Sequence, residues 1–165
     1  MIFNLMFICF YQNTLIFLFT LPILTSVAET AIPLNMIDYL LAGIILVLVY
    51  IEYTADQQQY DFQTEKHRRI NAGEDLGAYA DGFVSSGLWS KVRHPNYTAE
   101  QSIWIVFYLL GAHATGEWIN WSIAGAVLLV ILFKGSSDFS EEISANKYPK
   151  YKDYQQKVGR FIPKW

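Results

Sequence analysis

Four apolar stretches dominate the hydrophobic pattern of the chain, and they cover residues 5–28, 39–51, 99–114 and 118–133. A helix needs roughly 20 mostly apolar residues to cross a bilayer. The last three stretches reach that length once the polar and aromatic residues at their ends are included. Trp118 and Trp121 lie at one such end, which suits a membrane–water interface. The pattern predicts an all-α, polytopic membrane helix bundle with about four transmembrane helices.

The basic residues predict how these helices are oriented. All twelve Lys and Arg residues lie at or after Lys66, five of them before the third stretch and seven after the fourth. Basic residues near membrane helices stay on the cytosolic side. We therefore expect the 56–96 loop and the C-terminal tail to be cytosolic, and four crossings place the N-terminus there too.

Composition excludes several classes of protein. Charged residues make up 16% of the chain, against about 25% in soluble domains. The net charge of −3 gives no reason to expect a nucleic-acid partner. The one cysteine, Cys9, lies in an apolar run, so no internal disulfide is possible. The three histidines form no metal-ligand pattern, so we expect no metal site.

Two segments carry a second interpretation. Residues 26–28 resemble a signal-peptidase site, but no positive charge precedes them and the apolar stretch is long, which favours a retained helix. In the tail, Tyr148, Tyr151 and Tyr154 recur every three residues between lysines. This spacing predicts a short interfacial C-terminal helix, whose simplest role is anchoring.

Three groups of polar residues are candidates for chemistry. Glu52, Asp56 and Tyr60 stand four apart on one helix face, where carboxylates could bind the hydroxyls of a ribose or merely mark the helix end. Glu141 and Glu142 follow the fourth stretch. These adjacent carboxylates could bind a cation or hydroxyls, or face water.

The third group is the strongest candidate site. Its residues are Arg93, His94, Pro95, Asn96 and Tyr97, followed by Glu100. Pro95 fits the first turn of the third membrane helix, which places Arg93 at a positive helix N-terminus that favours phosphate or carboxylate. Glu100 lies one turn into the membrane, where a carboxylate must be paired or line a polar cavity. Its simplest partner is Arg93.

These residues carry a resemblance to a known superfamily. Residues 87–97, Glu100 and the tail segments 147–154 and 161–163 resemble the C-terminal half of steroid 5-alpha-reductase-like membrane proteins. The family of that superfamily with Arg-His-Pro-Asn-Tyr is the most similar. Isoprenylcysteine carboxyl methyltransferases belong to the same superfamily. The similarity spans roughly residues 12–163, so residues 1–165 are expected to form a single membrane domain, the cofactor-binding part of a larger reductase-like fold.

The resemblance implies a function and two possible cofactors. A reductase would use NADPH to reduce a carbon–carbon double bond in a lipid or steroid-like enone. A methyltransferase would transfer a methyl group from S-adenosylmethionine to a lipid or lipidated substrate. A third reading is a non-catalytic membrane fragment. In both enzymes the partners are the lipid bilayer and a hydrophobic small molecule.

The resemblance also implies site residues. The positions that would line or brace the NADPH pocket are Asp56, Asn96 and Glu100, with Arg93 near phosphate. The positions that would surround S-adenosylmethionine are Arg93, His94, Tyr97, Glu141 and Glu142. The substrate-polarising carboxylate and proton-donating tyrosine of the reductases come from earlier helices that have no counterpart here. No catalytic residue is therefore assigned.

Overall fold

The computed structural model describes residues 10–27 and 33–164, and the regular elements of this part of the chain are helices. The helices are α1 (Asn13–Val27), α2 (Met36–Ala72), α3 (Pro95–Thr115), α4 (Ile123–Lys147) and α5 (Tyr151–Lys157). Two short 3-10 turns, Gly77–Tyr79 and Gly87–Ser90, lie between α2 and α3. The predicted all-α fold is confirmed, and α3 begins at Pro95 as the sequence indicated.

Three helices in the described residues are long and apolar enough to cross a membrane. They are the helix over Phe10–Val27, α2 and α4. Many of their apolar side chains are exposed, including Leu46 and Val47 of α2 and Ile131 of α4, as expected for helices that face lipid. The chain is therefore a membrane protein with a helical membrane bundle. Helix α3 is not among the three candidates, and Glu100, Gln101 and Ser102 occupy its second turn.

Helix α2 is much longer than the predicted second stretch. It runs 37 residues, or about 56 Å at 1.5 Å per residue, whereas the hydrocarbon core is about 30 Å thick. The expectation of a loop from residue 56 was therefore wrong for residues 56–72. Ion pairs between Glu65 and both Arg68 and Arg69, at 2.8 and 2.7 Å, support the polar turns. Gly73, with a φ of 67°, ends the helix.

The polar end of the fourth stretch is helical too. Helix α4 begins at Ile123, after the tryptophans at 118 and 121, and continues past residue 133 to Lys147. Glu141 and Glu142 therefore lie on a helix and point to different surroundings: Glu141 is buried and Glu142 is exposed.

The chain folds as two compact units. Of the described residues, the first contains 10–27, 33–48 and 101–134, and the second contains 49–100 and 135–164. In the first unit, glycines let helices approach closely. A Cβ on Gly125 would lie 2.3 Å from the carbonyl oxygen of Leu18, and one on Gly111 would lie 2.7 Å from Cβ of Pro22. Small residues at such crossings are typical of membrane helices.

A polar cap starts α2 in the first unit. The side-chain oxygen of Asn35 accepts a hydrogen bond from the Ile37 amide at 2.8 Å, and Asp38 accepts one from the Asn35 amide at 2.8 Å. The side-chain nitrogen Nδ2 of Asn35 is 2.9 Å from Nε2 of His113. This reciprocal capping satisfies amide groups that the first turn leaves unpaired.

In the second unit, the tail tyrosines pack inward. The rings of Tyr151 and Tyr154 are buried, and their centroids lie 5.0 and 5.2 Å from that of Phe83. Tyr148 also contacts Phe83, at 5.8 Å, but it precedes α5. The prediction that all three tyrosines share one helix was therefore wrong, because the chain turns at Pro149 before α5 begins. All three tyrosine rings nevertheless contact Phe83.

Candidate functional site

The tail is joined to the residues that precede α3. Val92 and Gly159 form a parallel bridge. The Arg93 amide donates to Gly159 O at 2.8 Å, and the His94 amide donates to Arg160 O at 3.2 Å. A Cβ on Gly159 would lie 1.8 Å from Ile162 O, so only glycine fits there. The backbone around Arg93 is thus fixed from two distant parts of the sequence.

The Arg93 side chain is paired with Glu141. Its guanidinium meets both carboxylate oxygens of Glu141, and Nη1 donates to the backbone oxygens of Gln155 and Val158. The Gln155 amide nitrogen donates to Glu141 at 2.9 Å and Arg160 contributes a further bond at 3.2 Å. The partner of Arg93 is therefore Glu141, not Glu100. A direct contact of Arg93 with a phosphate would require this pair to open.

His94 belongs to the same buried network. Its Nε2 lies 2.9 Å from Oε1 of Glu141, to which it donates, and its ring stacks on Tyr97 at 5.3 Å. Burial lowers the pKa of His94 below its ordinary value, although the Glu141 carboxylate opposes this effect. His94 is therefore neutral at neutral pH and keeps one hydrogen bond to Glu141.

The carboxylates of α2 meet the start of α3. Asn96 donates from its side-chain amide to Asp56 at 2.9 Å. Glu100 is hydrogen-bonded to Glu52. Glu52, four residues before Asp56, is therefore a neighbour of Glu100. Asn96 and Glu100, which share a helix face, thus contact two successive turns of α2.

A cavity of about 390 Å³ lies in the second unit, with the predicted motif in its wall. Its aromatic lining comprises Phe83, Trp89, Tyr97, Tyr148, Tyr151 and Tyr154. Its polar lining adds Gln59 and Gln63 from α2 and Ser140, Ser144 and Lys147 from α4. Ligand cavities commonly have volumes of about 300–1,000 Å³, so this one is large enough to hold a small molecule or part of a larger one.

The cavity gathers some of the predicted residues and not others. Arg93, His94, Asn96 and Tyr97 line it. Three of the predicted carboxylates contact lining residues or each other's neighbours instead of lining the cavity. Asp56 accepts a hydrogen bond from Asn96, and Glu141 accepts hydrogen bonds from Arg93 and His94. Glu100 is a neighbour of Glu52. Glu142 is exposed outside the lining. That these residues bind a cofactor stays a prediction.

Two polar residues of the wall escaped sequence reasoning. The side-chain oxygen of Gln59 is buried and has no hydrogen-bond partner. Lys147 lies over the Tyr148 ring at 5.2 Å and has no carboxylate partner within the described part of the chain. The signal was their spacing: Gln59 and Gln63 are four apart, and Ser140, Ser144 and Lys147 follow at four and three. Such spacing is meaningful only on helices, and the predicted second and fourth membrane helices stopped before Gln63 and Ser140.

Two comparisons with known proteins find similar sequences over most of this chain. A family model described as Protein of unknown function (DUF1295) matches residues 1–158. A Schizosaccharomyces pombe protein described as Uncharacterized protein C594.04c is 39% identical over 134 residues. That match covers 77% of this chain and 39% of the yeast protein. No solved structure matches the chain.

Proposed function

This chain belongs to the family described as Protein of unknown function (DUF1295), and from that premise we propose that it is the cofactor-binding part of a membrane-embedded reductase. The reaction is NADPH-dependent reduction of a carbon–carbon double bond in a lipid or steroid-like enone. Because the chain covers 39% of the length of its yeast relative, the activity is proposed for the whole protein. The overall resemblance of the chain to the reductases supports the reaction class, whereas the Arg93–Tyr97 motif is shared with the methyltransferases.

The observation that carries the proposal is the cavity behind this motif. Its aromatic walls offer flat surfaces to planar rings. The polar side chains of Gln59 and Gln63 lie in this wall and could exchange hydrogen bonds with a ligand, and the ammonium of Lys147 suits a phosphate. Rings, donors and phosphates are the features of a nicotinamide dinucleotide, so the residues present fit this cofactor.

Bound NADPH would supply a hydride, and the chain's own residues would bind, orient and shield it. Lys147 would face a phosphate, Asn96 would be held by Asp56, and the aromatic side chains would exclude water. Burial raises the pKa of Tyr151 to about 12, so its hydroxyl keeps its proton at neutral pH. The pair of Arg93 and Glu141 would keep the wall in place without touching the ligand.

A methyltransferase is the second candidate, and one observation favours it. The guanidinium of Arg93 is neutralised by Glu141, which leaves Lys147 as the unpaired cation among the described lining residues. A nicotinamide dinucleotide carries several phosphates, and one lysine would neutralise only part of their charge. S-adenosylmethionine has no phosphate, so the charge of this wall suits it better than the sequence alone indicated.

We also propose a multi-pass arrangement with about four crossings. The 56–96 segment and the C-terminal tail are cytosolic in this proposal, because all twelve basic residues follow residue 65 and avoid the connections at 29–38 and 112–117. The polar turns of α2 then extend from the membrane into the cytosol. A hydrophobic substrate would approach from the bilayer.

Thermal unfolding of the detergent-solubilised protein tests the function. NADPH should stabilise the wild type through mass action, and Lys147→Gln or added salt should weaken the effect. Lys152→Gln removes a lysine of α5 that lies outside the lining and should change nothing. Stabilisation by S-adenosylmethionine alone would establish the second candidate. If neither cofactor stabilises the protein, the non-catalytic reading holds.

A further inference from the structure

One side of α2 carries a regular stripe of exposed residues within the second unit. At alternating intervals of three and four, the stripe consists of Tyr50, Tyr53, Gln57, Tyr60 and Thr64. This is the spacing of the a and d positions of a coiled coil, in which one helix packs along another. Gln57 then occupies an a position, and Tyr53 and Tyr60 occupy d positions. These five residues are called the outer seam below.

The opposite side of α2 packs against the rest of the second unit. Its buried and half-buried residues repeat with the same spacing, at positions 52, 55, 59, 62 and 66. The Trp89 indole donates to Ala55 O at 3.1 Å, and the Lys66 ammonium donates to Gly82 O at 2.9 Å. The exposure of the outer seam is therefore a property of one face and not of the whole helix.

The three tyrosines of the outer seam leave large aromatic surfaces uncovered. Tyr50, Tyr53 and Tyr60 are 69%, 64% and 66% exposed. Tyrosines are enriched at the membrane interface, but that layer is only about 5–8 Å thick on each side of the bilayer. Tyr50 and Tyr60 lie about 15 Å apart along the helix axis. The interface therefore does not cover the whole seam, whereas a second helix would, and tyrosine is enriched where proteins meet.

We propose that the outer seam pairs with the outer seam of a second copy of this chain, as a parallel two-helix contact. Two copies in one membrane have the same orientation, so their α2 helices run in the same direction. A two-fold axis between them then brings each seam residue against its own counterpart. This inference is independent of the proposed cofactor, because the seam lies on the face of α2 opposite Gln59, which lines the cavity.

Gln57 is the residue that favours a second copy over an unrelated helix. Its side-chain nitrogen donates to Asp61 of the same helix at 2.7 Å. Within the described part of the chain, this bond leaves one N–H and the side-chain oxygen for a partner. A carboxamide with both groups is complementary to itself, so two Gln57 side chains can exchange hydrogen bonds across the two-fold axis. A single polar a residue of this kind fixes register and selects two strands in coiled coils.

The charges beside the seam determine how its strength depends on salt. Asp56 and Asp61 occupy the flanking g and e positions, which approach each other across a parallel pair. Asp56 accepts a hydrogen bond from Asn96 at 2.9 Å, but the two carboxylates still repel one another. Added salt screens this repulsion and should strengthen the pairing. The same salt should weaken a cofactor held by Lys147, so the two effects are distinguishable.

Disulfide cross-linking in isolated membranes tests the pairing. In a Cys9→Ser background, Tyr60→Cys and Thr64→Cys place a thiol on the seam, whereas Glu142→Cys places one at an exposed site of α4. Oxidation should convert the two seam variants to covalent dimers of twice the 19.0 kDa chain mass and leave Glu142→Cys monomeric. Equal cross-linking of all three would indicate random collision and overturn the proposal. Absence of cross-linking at both seam positions would assign the seam to lipid or to another protein and overturn it too.

The mass of the detergent-solubilised protein is a second measurement that needs no cysteine. Wild type should form a dimer whose dissociation constant falls as salt is added. Gln57→Glu places two further carboxylates face to face and should raise that constant at least about tenfold. Gln156→Glu makes the same change at an exposed site of α5 and should have no effect. A wild type that stays monomeric, or a dimer that Gln57→Glu leaves intact, would overturn the proposal.

Discussion

Arg93 and Glu141 form a two-point ion pair, with Nε 2.8 Å from Oε1 and Nη2 3.1 Å from Oε2. Their side chains are only 8% and 3% exposed. His94 and Gln155 bond the same carboxylate, so one side chain of α4 connects the residues before α3 to the tail. The pair is therefore a structural support of the cavity wall.

Glu141→Gln should destabilise the protein by about 3–5 kcal/mol, because it leaves the buried guanidinium of Arg93 without a counter-charge. The neighbouring Glu142 is exposed and provides a matched control, for which Glu142→Gln should have little effect. Chemical unfolding of the solubilised protein measures both. Equal stability of the two variants would show that the pair does not support the fold.

Acid should weaken the fold through His94. Burial lowers its pKa in the folded state, so the unfolded chain takes up the proton first. The contribution of neutral His94 to the free energy of unfolding is present above about pH 6.5, the ordinary histidine pKa. It is lost as the pH falls below that value. Glu141, Arg93 and Arg160 are the charged groups that act on His94.

His94→Gln should therefore flatten the dependence of unfolding free energy on pH below about pH 6.5. His67→Gln, at an exposed site, is the control and should keep the wild-type profile. Denaturation midpoints measured across this range provide the comparison. A profile that is equally steep without the imidazole of His94 would assign the acid sensitivity to other groups.

The tail should be protected from hydrogen exchange. The amides of Tyr148, Tyr154 and Val158 donate to backbone oxygens at 2.8, 3.2 and 2.9 Å, and the tyrosine rings pack on Phe83. Phe83→Ala should accelerate exchange over 147–158, whereas Tyr60→Ala, at an exposed residue of α2, should not. Rapid exchange throughout this segment in folded wild type would refute the packing of the tail.

Single cysteines test the orientation. In a Cys9→Ser background, the Asn71→Cys and Lys157→Cys variants should resist a membrane-impermeant maleimide in intact cells, because both lie near basic residues. Glu117→Cys, in the connection between α3 and α4, should be labelled and serves as the positive control. External labelling at position 71 or 157 would reverse the proposed orientation.

The three long apolar helices were predictable because a run of roughly 20 mostly apolar residues suits a membrane crossing. The start of α3 was predictable because Pro95 lacks an amide hydrogen and suits a first turn. The polar half of α2 was not, because a charged segment between apolar stretches resembles a loop. Its helical signal is the spacing of Glu65 with Arg68 and Arg69, which stabilises a helix only when all three side chains lie on one face.

The site was predictable only in part, because its partners are distant in sequence. Arg93 and Glu141 are separated by 48 residues, and their local spacing carries no information about pairing. Gln59 was hidden for a different reason. It is one of three consecutive glutamines, and only the packing of the loop against α2 shows which of them faces the cavity.

An equilibrium titration with NADPH tests the central claim most directly, provided that one variant fills the cavity. Ser140 lines it, so Ser140→Phe should occupy the space, whereas Asn146→Phe adds the same ring at an exposed position of α4. We expect wild type and Asn146→Phe to bind NADPH with the same Kd, and Ser140→Phe to bind at least about tenfold more weakly. Unchanged binding to Ser140→Phe, or no binding to wild type, would contradict the assignment of this cavity as the cofactor site.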